Sequence, residues 1–138
     1  MELRRSPAGL VVLNDSYNAN PTSMAAALDA LASLGTGGGR RFAVLGPMAE
    51  LGPHAAEEHE RLGKLVAAIG VEMLVAVDAP ELAQGAAGTD TVTVAGPEAA
   101  VEALRPRLRP GDVVLVKASR VAGLERVARA LLDWDPAP

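Results

Sequence analysis

The residues best equipped for chemistry fall in three short clusters. The first is Asn14-Asp15-Ser16-Tyr17-Asn18-Ala19-Asn20-Pro21, which sets a carboxylate, a phenol, a hydroxyl and three carboxamides side by side. A carboxylate such as Asp15 can accept hydrogen bonds from ribose hydroxyls, and the ring of Tyr17 can stack on a base or sugar. A helix opening at Pro21 would favour an anion at its N-terminus. Asn20 can also cap that helix and Asp15 can close an Asx turn, but a plain strand-to-helix connection rarely needs so many polar groups. The second cluster, Gly46-Pro47-Met48-Ala49-Glu50-Leu51-Gly52-Pro53-His54, brackets an acidic residue between glycines. No Gly-Lys-Ser/Thr follows, so it is not a phosphate-binding P-loop. His54 and His59 are five apart and do not share a helical face as zinc ligands would, so no metal site is expected. The third cluster, Lys117-Ala118-Ser119-Arg120, ends an apolar run with two cations and a hydroxyl. A charge at the end of a buried strand needs a partner, which suggests an anionic substrate; a solvated surface pair is the plainer alternative.

Strands and helices that alternate along the chain would position these clusters. Residues 10–13 are a short apolar run ending in Asn14-Asp15, as for a buried strand, and the polar residues 2–5 can pair with it as an edge strand. Asn20-Pro21 opens a helix in which Met24, Leu28, Leu31 and Leu34 keep helical spacing, with Gly35 to close it. Residues 36–39 form a loop and 41–46 a strand. Pro53 opens a helix whose apolar face is Leu62, Leu65, Val66 and Ile69, with Glu57/Arg61 and Glu60/Lys64 on the wet side and Gly70 as the cap. Strands follow at 73–77, 91–94 and 112–117, and helices at 80–84, 97–104 and around Leu124, Val127, Ala128 and Leu131. The tail from Trp134 is expected to fray. Strict alternation predicts a mostly parallel sheet with helices on both faces. In such sheets ligands bind beyond the carboxyl ends of the strands, where all three clusters fall.

Composition narrows the class. The chain has 138 residues with 49% apolar content, enough for one domain with its own core. A formal charge of −4 with no long run of one sign argues against a general nucleic-acid binder. Without cysteine there is neither a disulfide nor a thiolate metal site. The first five residues carry no apolar signal segment, and no stretch approaches the roughly 18 apolar residues of a membrane span. A cytoplasmic protein with no membrane and no nucleic-acid partner is expected.

Taken together, the three clusters resemble the C-terminal domain of the Mur ligases, and within them the branch that adds D-alanyl-D-alanine. Residues Asp15-Ser16-Tyr17-Asn18-Ala19-Asn20-Pro21 match that branch's DSYNANP signature. Leu45, Gly46, Met48, Glu50, Leu51 and Gly52 match its LGxMxELG pattern, and His59 and Gly63 match the helix that follows. Lys117-Ala118-Ser119-Arg120 resembles its VKGSR, with Glu125-Arg126 beyond. Two positions depart from the pattern: Pro47 stands where Asp is usual and Ala118 where Gly is usual.

The resemblance implies a Rossmann-like, three-layer α/β domain spanning residues 1–138, with about six strands and an antiparallel N-terminal edge. It also implies an ATP-dependent amide-forming ligase whose N-terminal UDP-binding and central ATPase domains lie outside this chain. Met1 is then expected to be an artificial start on an excised domain, inactive alone. By resemblance Asp15, Tyr17, Asn18 and Asn20 would face ATP, while Lys117, Ser119 and Arg120 would face anionic substrate groups. Magnesium would be held mainly by the central domain, and the substrates would be UDP-MurNAc-tripeptide and D-alanyl-D-alanine. The alternatives are another Mur-type ligase, a folylpolyglutamate synthase, or a free-standing, non-catalytic Rossmann-like binding module. A receiver-like domain fits poorly, because it needs a phosphorylatable Asp at the end of the third strand, which here ends Leu45-Gly46-Pro47.

Overall fold

The computed structural model describes residues 1–16, 19–34 and 39–135. Six strands form one sheet: β1 (Glu2–Arg5), β2 (Val11–Asp15), β3 (Arg41–Leu45), β4 (Met73–Val77), β5 (Thr91–Val94) and β6 (Val113–Lys117). Their order is β1-β2-β6-β3-β4-β5. Only the β1–β2 pair is antiparallel. The helices are α1 (Pro21–Leu34), α2 (Ala55–Ile69), α3 (Pro80–Gly85), α4 (Pro97–Leu104) and α5 (Glu125–Leu132).

The winding follows from crossover handedness. From β2 to β5 the chain steps across the sheet in one direction, and right-handed connections put α1, α2 and α3 on one face. From β5 it turns back to insert β6 between β2 and β3, which puts α4 on the other face, where α5 joins it. Each face has its own core. Leu13, Leu45, Leu74 and Leu115 pack with Met24, Leu28, Leu62 and Leu82 on one side. Val12, Val44, Val75 and Val116 pack with Leu104, Leu124, Val127 and Leu131 on the other. Strands β4 and β6 are buried along their whole length, as their unbroken apolar runs require.

At the amino end of β6, Asp112 is 2% exposed and anchors the turn into the strand. Its carboxylate accepts from Arg40 Nε at 3.2 Å, Arg40 Nη2 at 2.8 Å and the Arg109 amide at 2.8 Å. The hydrogen bonds to Asp112 raise the Arg40 guanidinium above its ordinary value. This pair fixes where β6 enters the sheet and therefore where its carboxyl end emerges.

Several sequence expectations shift. Strand β2 runs on to Asp15, because β6 continues alongside it as far as Lys117. Pro53 opens a one-turn 3-10 helix, Gly52–His54, and α2 begins at Ala55. The buried face of α2 is His59, Leu62, Gly63 and Val66, while Leu65 is 40% exposed. Arg61 pairs with Glu58 at 3.1 Å, one turn position short of Glu57. Trp134, expected to fray, is buried in the α4/α5 core, and its amide donates to the Leu131 carbonyl. Gly35 and residues 36–38 lie outside the described residues.

Candidate functional site

Inserting β6 between β2 and β3 brings all three polar clusters to one edge. Asp15, Lys117 and Leu45 are the final residues of three adjacent strands, paired in register as Asp15↔Lys117 and Leu45↔Lys117. Lys117 ends a wholly apolar strand, and its side chain is 1% exposed. It reaches across to Asp15, Nζ to Oδ2 2.6 Å. An ammonium cannot sit at that depth without an anionic partner. Asp15 supplies it while keeping its own side chain 26% exposed at the sheet edge. The two residues assigned by sequence to different ligands are therefore one ion pair.

The first cluster bends away from β2 into α1. Asn20 is the N-cap: its Oδ1 accepts from the Ser23 amide at 2.8 Å, and Ser23 Oγ accepts from the Asn20 amide at 3.1 Å. This reciprocal arrangement is a capping box built from Asn and Ser. The Asn20 side-chain oxygen is thus engaged in holding the helix N-terminus. Tyr17 and Asn18 lie outside the described residues. Flanking Asp15, Asn14 Oδ1 and Ser16 Oγ are buried with no hydrogen-bond partner among the described residues. By strand alternation Asn14 points to the face opposite Asp15.

The second cluster is tied to the third. The Gly46 amide donates to the Lys117 carbonyl at 3.0 Å, and the Ser119 amide to the Pro47 carbonyl at 2.9 Å. Pro47 therefore keeps the acceptor the loop needs, although it has no backbone donor. The Ala118 departure also has a physical account. Ala118 is fully buried, and its Cβ fills the space over Gly46, where a second Cβ would lie 2.7 Å away. Further along, Glu50 adopts φ 60 and Gly52 φ 58. A left-handed glutamate is uncommon and persists only where its surroundings hold it.

The start of this loop is tied to α2 through His59, which sequence placed only as a motif match. Its ring is buried, Nε2 accepts from the Met48 amide at 2.9 Å, and Nδ1 lies 2.6 Å from the Ala55 carbonyl. An amide can donate only to an unprotonated nitrogen, so the proton sits on Nδ1 and donates to Ala55. In the third cluster Ser119 is buried, while Arg120 is exposed with no ion pair to any described residue. Among the described residues no three His, Cys, Asp or Glu side chains gather as a metal set.

The edge thus offers a half-open carboxylate backed by a buried ammonium, a capped helix N-terminus, and an exposed guanidinium. A mostly parallel α/β sheet wound in this order defines a Rossmann-like domain. Residues 1–120 match the family model described as "Mur ligase, glutamate ligase domain", and the chain belongs to the Mur ligase family. It is 41% identical to UDP-N-acetylmuramoyl-tripeptide--D-alanyl-D-alanine ligase of Mycobacterium leprae, over 96% of this chain and 29% of that protein. It is 36% identical to the Escherichia coli ligase of the same name, over 89% of this chain and 27% of the relative. Among solved structures, the MurF ligase from Thermotoga maritima in complex with ADP matches 95% of this chain and 30% of its own, with TM-score 0.80 and 32% identity. The chain thus spans under a third of the length of these relatives. No helix among the described residues is long and apolar enough to cross a membrane.

Proposed function

We propose that residues 1–138 are the C-terminal domain of a cytoplasmic, ATP-dependent ligase that adds D-alanyl-D-alanine to UDP-MurNAc-tripeptide in peptidoglycan precursor synthesis. The observation that carries this reading is the Asp15–Lys117 pair at the carboxyl edge, in a chain whose curated relatives bear that ligase's name. The likeness to an ADP complex supports ATP as the nucleotide.

In the proposed reaction the precursor's terminal carboxylate attacks the γ-phosphorus of ATP, forming an acyl phosphate and releasing ADP. The amine of D-alanyl-D-alanine then adds to the acyl carbon, loses a proton, and phosphate leaves as the amide forms. Magnesium bound in the segments outside this chain would neutralise phosphate charge. The part played by this domain is positioning and electrostatics. Asp15 Oδ2 holds Lys117, which leaves Oδ1 for a ribose hydroxyl, and by their place in the signature Tyr17 and Asn18 are assigned to the same nucleotide. Asn20 fixes the N-terminus of α1. Arg120 is the cation offered to an anionic substrate group, with Ser119 beneath it, and Lys117 adds a fixed positive charge. Closure over the other domains would keep water from the acyl phosphate.

The test is to supply this chain with the N-terminal and central domains of the ligase and measure phosphate release. Release is expected only with ATP, UDP-MurNAc-tripeptide and D-alanyl-D-alanine together. Stimulation by L-alanine, D-glutamate, lysine or diaminopimelate in place of the dipeptide would move the assignment to another branch of the family.

A further inference from the structure

We propose that His59 is a positioning residue for this site, acting through the loop between β3 and α2 on Ser119 and Lys117. The argument begins with burial. His59 is 7% exposed on the inner face of α2, and both ring nitrogens are occupied. The Nδ1 proton given to Ala55 fixes the ring on its own helix, which aims the Nε2 lone pair at the Met48 amide. Met48 is itself buried, so its amide depends on that lone pair.

What this bond holds is the conformation of residues 46–52. The loop contains the left-handed Glu50 and Gly52, and its Pro47 cannot donate a hydrogen bond. Its position is transmitted by two short backbone links. Pro47, adjacent to Met48, accepts the Ser119 amide, and Gly46 donates to the Lys117 carbonyl. Lys117 in turn carries Asp15. A displaced Met48 therefore moves the acceptor on which Ser119 rests, and with it the segment that presents Arg120. An apolar side chain at position 59 could fill the same volume, but it would leave the Met48 amide unpaired and the loop unanchored.

The kinetic consequence rests on the ligase reading above, whereas the structural consequence does not, so the experiment has two arms. The first uses 15N-labelled chain. His59→Phe removes the acceptor and is expected to displace the amide resonances of Met48, Lys117, Ser119 and Arg120. His59→Gln, whose carbonyl can accept from the same amide, is expected to return them toward wild type. The second arm uses the chain supplied with the rest of the ligase. There His59→Phe is expected to lower kcat about tenfold while KM for ATP stays within about twofold, and His59→Gln to restore most of the turnover. Displacement confined to Met48, or equal behaviour of the two variants, would overturn the proposal. Should His59→Phe not fold, Met48→Pro removes the donor of the same bond, and unmoved resonances at residues 117–120 would overturn it too. A wild-type ligase that ignores D-alanyl-D-alanine would sink the functional assignment, while the resonance arm would still decide the role of His59.

Discussion

The Asp15–Lys117 pair is asymmetric, and the two halves should cost different amounts to remove. Lys117 is 1% exposed and Asp15 26% exposed at the side chain. Asp15→Asn leaves the buried ammonium facing a neutral amide. Stripping the partner from a buried charge costs about 3–5 kcal/mol. The low end, about 3 kcal/mol, applies here because the carboxylate it loses was already partly in water and because Lys117 makes other interactions as well. Lys117→Met removes the buried charge, keeps the apolar stem, and leaves a carboxylate that water can solvate. That should cost about 1 kcal/mol, the scale of a pair exposed at one end. The double variant should resemble Lys117→Met alone, a coupling of about 3 kcal/mol in a double-mutant cycle. Urea unfolding at pH 7 reads this directly. With a slope of about 2 kcal/mol per molar, the midpoints of the two single variants should lie about 1 M apart at unchanged slope. Equal midpoints, or a lower midpoint for Lys117→Met, would refute the claim that desolvation of the ammonium dominates this pair.

Three further outcomes follow from the same geometry. Helices α2 and α3 touch backbone to backbone: a Cβ on Gly63 would strike the Leu82 carbonyl, and one on Gly85 the Glu60 carbonyl. Gly63→Ala or Gly85→Ala should therefore cost at least about 2 kcal/mol, seen as a lowered Tm, because backbone cannot yield as a side chain does. Asn20→Ala should cost about 1 kcal/mol of stability through loss of the cap, measured without nucleotide; no change would mean the capping box contributes nothing. Ser16→Ala should leave stability unchanged or raise it by about 1 kcal/mol, because the hydroxyl it removes is buried without a partner among the described residues. A clear loss in urea unfolding would show that the hydroxyl has a structural role.

The alternation of apolar runs with Pro- and Gly-marked turns made the architecture legible, because each element's period is written in consecutive residues. Placement across elements was not. Nothing in the spacing of Asp15 and Lys117, 102 residues apart, announces an ion pair; it follows from β6 entering between β2 and β3. The same holds for Arg40 and Asp112, which join two strand entrances. On α2 the periodic pattern fitted a stripe through Leu65, but α3 crosses at Gly63, and the close backbone approach there turns the buried face toward His59. Histidine and glycine carry no apolar signal, so the pattern rule passed over both. Trp134 lay in a polar, Pro-rich tail, and only the packing of α5 shows that its ring belongs to the core. Asn20 was legible both as a cap and as a ligand-binding residue; the structure assigns its Oδ1 to the cap.

The most direct test of the account is where ATP meets this domain. 15N-labelled chain would be combined with unlabelled N-terminal and central domains, and amide resonances compared with and without a non-hydrolysable ATP analogue. The account predicts nucleotide-dependent changes at Asp15, Ser16, Ala19, Asn20, Lys117 and Ser119, on the carboxyl edge of the sheet. Changes confined to the opposite end, around Gly9, Arg40 and Gly111, or none in an assembly that turns over substrate, would contradict it.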